Sequence, residues 1–301
     1  MNSVGMDSGL GSDRAAGGRF ADLHIHSDYS DGNFSPVYLP ELAARHGVAA
    51  LALTDHDTVT GLRPCAKACQ QAGIEFVPGI ELSCSFEGTE VHVLGYYINA
   101  AAPALRELTG QITLHRQTMV AELSRRLAEA GWPLETADYA RAARPFVERV
   151  HLARAVKRKY AVEDAQLTSM ANPYSHDLGA FFLTDPADAV RVIRAAGGVA
   201  ILAHPWVYKD VSGADILGKV IERCRPAGLD GLEVSDVKCG PDKANELRQL
   251  AAANRWIITA GSDFHGLPAN SGCGQRPWTK HRFSYEQVVP LKVLAEKRSA
   301  V

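Results

Sequence analysis

The stretch FADLHIH, residues 20–26, sets the pattern of this chain: a short apolar run that ends in ionisable side chains. Its alternation of apolar and polar residues predicts a β-strand. Side chains two residues apart on a strand point to the same side, so His24 and His26 should project together. Asp28 and Asp31 follow shortly afterwards. Two imidazoles on one side of a strand suit two ligands of one metal ion, although an isolated pair also arises by chance.

Further apolar runs of strand length follow, and amphipathic stretches lie between most of them. The predicted strands are Phe20–His26, Ala49–Thr54, Ile74–Ile80, Glu90–Tyr97, Gly198–His204, Leu229–Ser235 and Trp256–Gly261. The predicted helices are Pro36–His46, Val59–Ala72, Pro186–Ala196, Ala214–Arg225, Pro241–Ala253 and Tyr285–Lys297. This alternation predicts an α/β fold with a largely parallel sheet, as a barrel or, alternatively, an open sheet. Residues 82–89 are too few for a crossover helix, and Glu87-Gly88 is typical of a turn, so we expect an irregular barrel.

The strand–helix alternation is interrupted between residues 103 and 185. A strongly helical pattern runs from Leu105 to Ala130, and a segment without clear periodicity covers residues 169–183. We therefore predict a discontinuous barrel, residues 19–102 and 186–301, with a helical insertion, residues 103–185, that caps its mouth. Residues 1–18 are rich in glycine, serine and aspartate and lack the apolar core of a secretion signal, so we expect a disordered tail.

The overall composition excludes several classes of protein. Hydrophobic residues make up 46% of the 301, enough for a sizeable core. Lys plus Arg is 32 and Asp plus Glu is 34, a net charge of −2, which argues against binding long duplex nucleic acid by bulk charge. No apolar run is long enough to span a membrane. Six scattered cysteines without a CxxC pair predict free thiols in a reducing compartment, and hence a cytoplasmic protein.

Ionisable residues recur at the ends of the predicted strands. They are His24, His26, Asp28, Asp31, Asp55, His56, Asp57, Glu81, His92, His204, Asp263 and His265. Individually, His92 is typical of a satisfied interior histidine and Asp57 of a helix N-cap. Together they would be costly to bury at one rim unless metal ions compensate their charges. Histidine and carboxylate without cysteine favour zinc, manganese or iron at a catalytic site, which in parallel barrels lies at this end.

The strand-end motifs resemble those of the PHP (polymerase and histidinol phosphatase) family, in the family's order. They are Asp22-Leu23-His24-Ile25-His26-Ser27, Ser30-Asp31-Gly32, Thr54-Asp55-His56-Asp57, Pro78-Gly79-Ile80-Glu81, Val91-His92-Val93-Leu94-Gly95-Tyr96, Ala203-His204-Pro205 and Gly261-Ser262-Asp263-Phe264-His265. The chain looks most like the stand-alone members that hydrolyse 3′,5′-bisphosphonucleotides such as pAp, some of whose relatives trim short RNA from the 5′ end. The resemblance implies a distorted (β/α)7 barrel and a metal-dependent phosphatase.

The resemblance also implies three divalent metals, most simply Mn²⁺, with Zn²⁺ or iron as alternatives. The first would be held by His24, His26, Glu81 and Asp263, the second by Glu81, His92 and His204, and the third by Asp31, His56 and His265. Glu81, Asp263 and His204 would be the catalytic residues. Two metals would share a hydroxide that attacks phosphorus in line. Asp28, Asp55 and Asp57 would have mainly structural roles.

Residues of the predicted insertion are candidates for binding phosphate. Arg116 lies within the apolar stripe of the long helix, where an arginine needs an anionic partner: either a protein carboxylate or, as we expect, a substrate phosphate. Arg149-Val150-His151-Leu152-Ala153 resembles the family's Arg-Pro-His-x-Ala segment, which implies that Arg149 and His151 contact the second phosphate or the leaving group. Residues 174–182 lack the lysine of the corresponding family loop, and His176 is a weak candidate to replace it. Lys238 is a further candidate to bind phosphate, but we expect it to be solvated.

Other functions remain open at this point. A 5′→3′ exonuclease acting on short RNA would use the same metals in a more open cleft. An accessory domain of the kind attached to bacterial DNA polymerases would lack turnover of its own, which the complete ligand set argues against. Hydrolysis of a C–N bond is a further alternative for a metal barrel. The helical insertion and the near-neutral charge favour a small phosphorylated nucleotide, with no membrane partner.

Overall fold

The computed structural model describes residues 19–140, 147, 149–163, 184–210, 212–266 and 283–299. The strands are β1 (Phe20–Ile25), β2 (Val48–Leu53), β3 (Glu75–Phe86), β4 (Thr89–Tyr96), β5 (Val199–Leu202), β6 (Gly231–Glu233), β7 (Ile257–Thr259) and β8 (Phe283–Ser284). The helices are α1 (Leu39–Arg45), α2 (Leu62–Ala72), α3 (Pro103–Glu129), α4 (Thr136–Tyr139), α5 (Arg149–Tyr160), α6 (Pro186–Ala195), α7 (Leu217–Cys224), α8 (Asp236–Cys239), α9 (Pro241–Asn254) and α10 (Val288–Ser299).

The strands form one mixed sheet in the order β7-β6-β5-β4-β3-β2-β1-β8. The pairs β1–β2, β2–β3, β5–β6 and β6–β7 are parallel, whereas β4 runs antiparallel to both of its neighbours. Glu87 and Gly88 form the turn between β3 and β4, as the sequence predicts. A parallel bridge between Ile25 and Phe264 connects the end of β1 with the chain that follows β7, so the sheet curls on itself. The predicted α/β fold with a distorted, curled sheet is confirmed.

Both faces of the sheet are covered, because alternate residues of a strand face opposite sides. In β2, Leu51 and Leu53 belong to the larger apolar cluster, which includes residues of α1 and α2. Ala50 and Ala52 belong to a second cluster, which includes Leu291 of α10. The apolar strands are therefore buried on both sides, as parallel strands in α/β proteins usually are.

The helices α3 and α5 share a small core of their own. It consists of Val120, Leu123, Leu127, Leu152, Val156 and Val162. Nη1 of Arg154 on α5 donates to the carbonyl oxygen of Asp31 over 2.9 Å, so α5 borders the loop that follows β1. The division into a discontinuous barrel and a capping insertion stays a prediction, and residues 164–183 lie outside the described part of the chain.

The structure differs from the sequence-based boundaries in several places, and three of the differences have a clear physical reason. β3 continues to Phe86, beyond its predicted end at Ile80, because its second half pairs with β4. α1 begins at Leu39, with Pro40 rather than Pro36 in its first turn. β8 was not predicted, since a two-residue strand leaves no periodic signal.

Two further expectations concern cysteines and membranes. Five cysteines in the described ranges are free thiols, and the sixth, Cys273, lies outside those ranges, as does the predicted tail 1–18. Among the helices of the described residues, none has the length and apolar character needed to cross a lipid bilayer.

Candidate metal centre

Three groups of histidine and carboxylate side chains meet at the strand ends. Within each group the potential ligand atoms all lie within 4.8 Å of one another. The groups are His24, His26, Glu81 and Asp263; His56, Glu81 and His92; and His26, Asp31, His56 and His265. They are contributed by β3, β4 and the ends of β1, β2 and β7. Shared members make the groups contiguous, so the site resembles one extended polar centre rather than separate clusters.

Glu81 lies at the middle of this centre and is fully buried. Its Oε2 is 3.0 Å from His24 Nε2 and 3.1 Å from His26 Nε2. Its Oε1 is 3.0 Å from His92 Nδ1 and 3.1 Å from His204 Nε2. One carboxylate thus directs one oxygen to each of two pairs of imidazoles. This geometry is what a carboxylate bridging two metal ions requires, although its bridging role stays a prediction.

The remaining predicted ligands are adjacent. His265 Nε2 lies 3.1 Å from Asp31 Oδ2, and the rings of His26 and His265 stack with centroids 4.1 Å apart. His56 Nδ1 is 3.5 Å from Glu81 Oε2, so His56 lies between two of the groups rather than in one alone. All nine predicted ligands are therefore brought together. The three groups share more residues than the sequence-based assignment allowed, in which only Glu81 belongs to two groups.

The donor atoms of the centre fit divalent cations. His26 is fully buried, yet its Nδ1 has no hydrogen-bond partner, and buried Nδ1 of His204 also has none. Buried polar atoms left without partners are costly. A divalent ion among these nitrogens and the neighbouring carboxylates would satisfy the atoms that face it. A set of nitrogen and oxygen donors without thiolate is typical of catalytic Zn²⁺, Mn²⁺ or iron.

The charges of the centre shift its pKa values strongly. Burial alone would lower the pKa of His26, but Asp263 and Glu81 raise it to about 9. Burial likewise opposes ionisation of His92, whereas Glu81 and Glu90 raise its pKa to about 10. Burial would raise the pKa of Glu81, but the imidazoles around it hold that pKa well below its ordinary value. Protons therefore carry the compensating positive charge when no metal does.

This linkage predicts that metal binding releases protons. The pKa values of about 9 for His26 and about 10 for His92 mean that both rings are protonated at pH 7 without metal. A bound ion requires neutral imidazole, so Mn²⁺ affinity should rise from pH 6 towards pH 9. Calorimetric titration at pH 7 in two buffers of different ionisation enthalpy should show net proton release. Proton uptake, or an affinity that falls with rising pH, would contradict this.

Glu233 is a residue of the centre that the sequence did not single out. Its Oε1 is 3.1 Å from Nδ1 of His24, and its Oε2 accepts the backbone N–H of His204 over 2.7 Å. The backbone of His204 has a φ of 28° and a ψ of 54°, which an L-residue rarely adopts. Glu233 thus orients one predicted ligand and fixes the backbone of another. Its signal in the sequence was a lone carboxylate inside the apolar strand β6.

We expect Glu233→Gln to weaken metal binding without removing a ligand. The variant would give Nδ1–H of His24 a neutral acceptor instead of an anion, and loss of such outer contacts typically costs about 10–100-fold in metal affinity. Mn²⁺ titration of the variant measures this, with Glu41→Gln on the exposed face of α1 as the control. Equal Mn²⁺ affinity in the two variants would assign Glu233 to the fold alone.

Arg116 and Asp57 form a buried ion pair. The Arg116 side chain is only 1% exposed, and its Nη2 contacts Asp57 Oδ2 and donates to Ser83 Oγ over 3.2 Å. Asp57 also accepts the backbone N–H of Ser83 over 2.8 Å. The expected N-cap role of Asp57 is wrong, because α2 begins at Leu62 after Gly61. Of the two anionic partners considered for Arg116, the structure shows the protein carboxylate. A contact between Arg116 and a substrate phosphate stays a prediction.

The other candidate substrate residues lie around the rim. Nη2 of Arg149 donates to Glu90 Oε2 over 2.7 Å, and His151, two residues further along α5, is buried. Nζ of Lys238 lies 3.2 Å from Asp263 Oδ2 with its side chain 20% exposed. The expectation of a solvated Lys238 is therefore wrong, because its ammonium group pairs with a predicted ligand. His176 lies outside the described residues.

Comparisons with known proteins agree with this geometry. Residues 22–164 match the PHP domain. A 5′-3′ exoribonuclease of Haemophilus influenzae is 35% identical over 284 residues, which cover 90% of this chain and 97% of that relative.

The chain belongs to the PHP domain family.

Two further relatives within the PHP family have different names. A 3′,5′-nucleoside bisphosphate phosphatase of Chromobacterium violaceum is 32% identical, covering 83% of this chain and 88% of the relative. A phosphoribosyl 1,2-cyclic phosphate 1,2-diphosphodiesterase of Eggerthella lenta is 34% identical, covering 81% of this chain and 94% of the relative. A solved structure from Bifidobacterium adolescentis, described as a metal-dependent phosphoesterase, superposes with a TM-score of 0.78 at 21% identity, over 92% of this chain and 96% of that one. The protein is accordingly a metal-dependent PHP phosphoesterase.

Proposed function

We propose that this phosphoesterase removes the 3′-phosphate from 3′,5′-bisphosphonucleotides such as pAp. The observation that carries the proposal is the Glu81-centred cluster of imidazoles and carboxylates, with cationic side chains at its rim. Such a cluster suits a phosphoryl group, whose oxygens need positive charge around them. A substrate with two phosphates can occupy the centre with one and a rim cation with the other. This would make two-point recognition the basis of specificity.

The proposed ligand set is the one that the resemblance implies. His24, His26, Glu81 and Asp263 would hold one divalent ion; Glu81, His92 and His204 a second; and Asp31, His56 and His265 a third, with Mn²⁺ as our choice and Zn²⁺ or iron as alternatives. Ions bound there would lower the pKa of water and neutralise charge on phosphoryl oxygens. Within this set, Glu81, Asp263 and His204 are the residues we propose as catalytic.

The side chains of the chain itself would orient the substrate. Positive charge comes from two different helices: Lys238 of α8 lies beside Asp263, and Arg149 of α5 lies beside Glu90. We propose that Arg149 and His151 bind the phosphate that is not hydrolysed. The buried ion pair of Arg116 with Asp57 favours a role in holding α3 on the barrel, and the KM of Arg116→Ala for pAp tests its predicted phosphate contact.

A second candidate is a 5′→3′ exonuclease acting on short RNA. This candidate is favoured by the similarity to the Haemophilus influenzae protein named 5′-3′ exoribonuclease. The match covers 97% of that protein. Such an enzyme would use the same ligand set and the same rim cations. It differs only in whether the cleft admits nucleotides beyond the first. The near-neutral charge of −2 favours short chains over long ones in either case.

The two candidates are separated by one panel of substrates. Mn²⁺-loaded protein is incubated with pAp, 5′-AMP, 3′-AMP and a 5′-phosphorylated RNA pentamer, and released phosphate and nucleotides are quantified. We expect one phosphate from pAp, 5′-AMP as the other product, and little release from either AMP. Mononucleotides released from RNA at a higher kcat/KM would favour the exonuclease. The metal-chelated protein is the control, and no release from any substrate would overturn the proposal.

A further inference from the structure

Glu90 connects the metal centre with the helix α5. Its Oε1 lies 2.9 Å from Nε2 of His92, and its Oε2 accepts from Nη2 of Arg149 over 2.7 Å. His92 directs its other nitrogen, Nδ1, to Glu81 at 3.0 Å. The contacts therefore form a continuous chain: Glu81, His92, Glu90 and Arg149. It leads from the most buried carboxylate of the centre to a cation at the rim.

The position of Glu90 follows from strand geometry. Glu90 and His92 are two residues apart on β4, so both side chains lie on the same face of the sheet. Arg149 is the first residue of α5 and reaches that face from a different part of the fold. The Glu90 side chain is 39% exposed, whereas that of Glu81 is completely buried. Glu90 therefore reaches the protein surface beside Arg149, outside the three ligand groups.

We propose that Glu90 is a positioning residue that couples phosphate binding at Arg149 to the orientation of the metal ligand His92. The proposal rests on the proposed function in one respect, that Arg149 binds a phosphate. A carboxylate that accepts from the outer nitrogen of a ligating imidazole fixes the ring's tautomer and orientation. Here the same carboxylate holds the guanidinium in place, and charge-assisted contacts of this kind are directional. A substrate anion that neutralises part of the positive charge of Arg149 weakens the Arg149–Glu90 contact. The carboxylate of Glu90 then interacts more strongly with Nε2 of His92.

The proposal assigns two effects to the side chain of Glu90, one on metal binding and one on phosphate binding. Shortening Glu90 should weaken metal binding through His92 and weaken phosphate binding through Arg149. Replacing Arg149 by lysine, which keeps the positive charge beside Glu90, should weaken phosphate binding and leave metal binding unchanged. Because the phosphate effect of Glu90 passes through Arg149, the two replacements should not add in phosphate affinity. A role of Glu90 in folding alone would give neither pattern.

The key variant is Glu90→Asp, which keeps the charge but is one methylene too short to contact both partners. It is compared with Arg149→Lys, which also keeps its charge, and with the double variant. Glu87→Asp is the matched control, since Glu87 lies on the same hairpin and pairs with the exposed Lys219. Mn²⁺ affinity is measured by calorimetry, and inorganic phosphate affinity is measured on the Mn²⁺-loaded proteins.

For Glu90→Asp we expect a loss of about tenfold in Mn²⁺ affinity and a several-fold loss in phosphate affinity. Arg149→Lys should retain Mn²⁺ affinity, and the double variant should bind phosphate as weakly as Arg149→Lys alone. Glu87→Asp should match wild type in both titrations. Phosphate losses that add, or wild-type Mn²⁺ affinity in Glu90→Asp, would overturn the coupling. Neither titration requires turnover, so absence of pAp hydrolysis would defeat the proposed function while leaving this test intact.

Discussion

Replacing Glu81 should abolish phosphate release. Glu81→Gln keeps the shape of the side chain but removes the charge that faces His24, His26, His92 and His204. Loss of a single charge-stabilising group at a catalytic centre typically costs about 10²–10³-fold in kcat. Because Glu81 belongs to two of the candidate groups, we expect a loss at the upper end of this range or beyond. Initial rates of phosphate release under saturating Mn²⁺ measure the effect.

The control for this variant is Glu87→Gln, which removes an exposed carboxylate from the same hairpin. It should have wild-type activity. Thermal melting of both variants distinguishes a lost site from a lost fold. Asp263→Ala should behave like Glu81→Gln, because Asp263 Oδ1 lies 3.4 Å from His24 and 3.3 Å from His26. Full activity in either variant would contradict the proposal that Glu81 and Asp263 belong to one catalytic metal centre.

Among the substitutions proposed, Arg116→Ala should cause the largest fall in the free energy of unfolding. The change leaves the carboxylate of Asp57 buried without its cation, and breaking a buried ion pair from one side costs about 3–5 kcal/mol. Asp57 is fully buried, so water cannot readily replace the lost guanidinium. Urea unfolding monitored by circular dichroism gives the free energy of unfolding. We expect it to fall by most of that range.

The matched control is Arg125→Ala, on the same helix α3. Arg125 is 55% exposed and pairs with Glu122 and Glu129, and surface pairs of this kind contribute about 0–1 kcal/mol. Equal stability of the two variants would contradict the structural role of the buried pair. The KM of folded Arg116→Ala for pAp tests the predicted phosphate contact. A large rise supports that contact, whereas an unchanged KM assigns Arg116 to the packing of α3.

The fold was predictable because each strand carries its own signal. Apolar runs with amphipathic stretches between most of them indicated β1 to β7, and the short connection after β3 indicated a turn in place of a crossover helix. Strand ends were less predictable, since pairing with a neighbour extends β3 beyond its apolar run. β8 was missed because Phe283 and Ser284 are held by pairing with β1, which a local pattern cannot show.

The site was predictable where ligands follow strand ends, as His26, His56 and Asp263 do. Glu90 and Glu233 were not singled out, because their contacts depend on which strands and helices become neighbours. Arg116 shows the opposite case: its buried position was read correctly from the helical stripe, but its partner Asp57 is 59 residues away. Lys238 was misjudged for the same reason, since only the fold brings it to Asp263.

We propose that the residues around Glu81 bind the divalent ions that catalyse phosphoester hydrolysis. The most direct test is the metal content of the chain after equilibrium dialysis against Mn²⁺, measured by mass spectrometry together with phosphate release from pAp. We expect about three ions per chain, one for each candidate group, with fewer ions and almost no phosphate release in Glu81→Gln. Undiminished phosphate release from a wild-type chain that retains no divalent ion would contradict it.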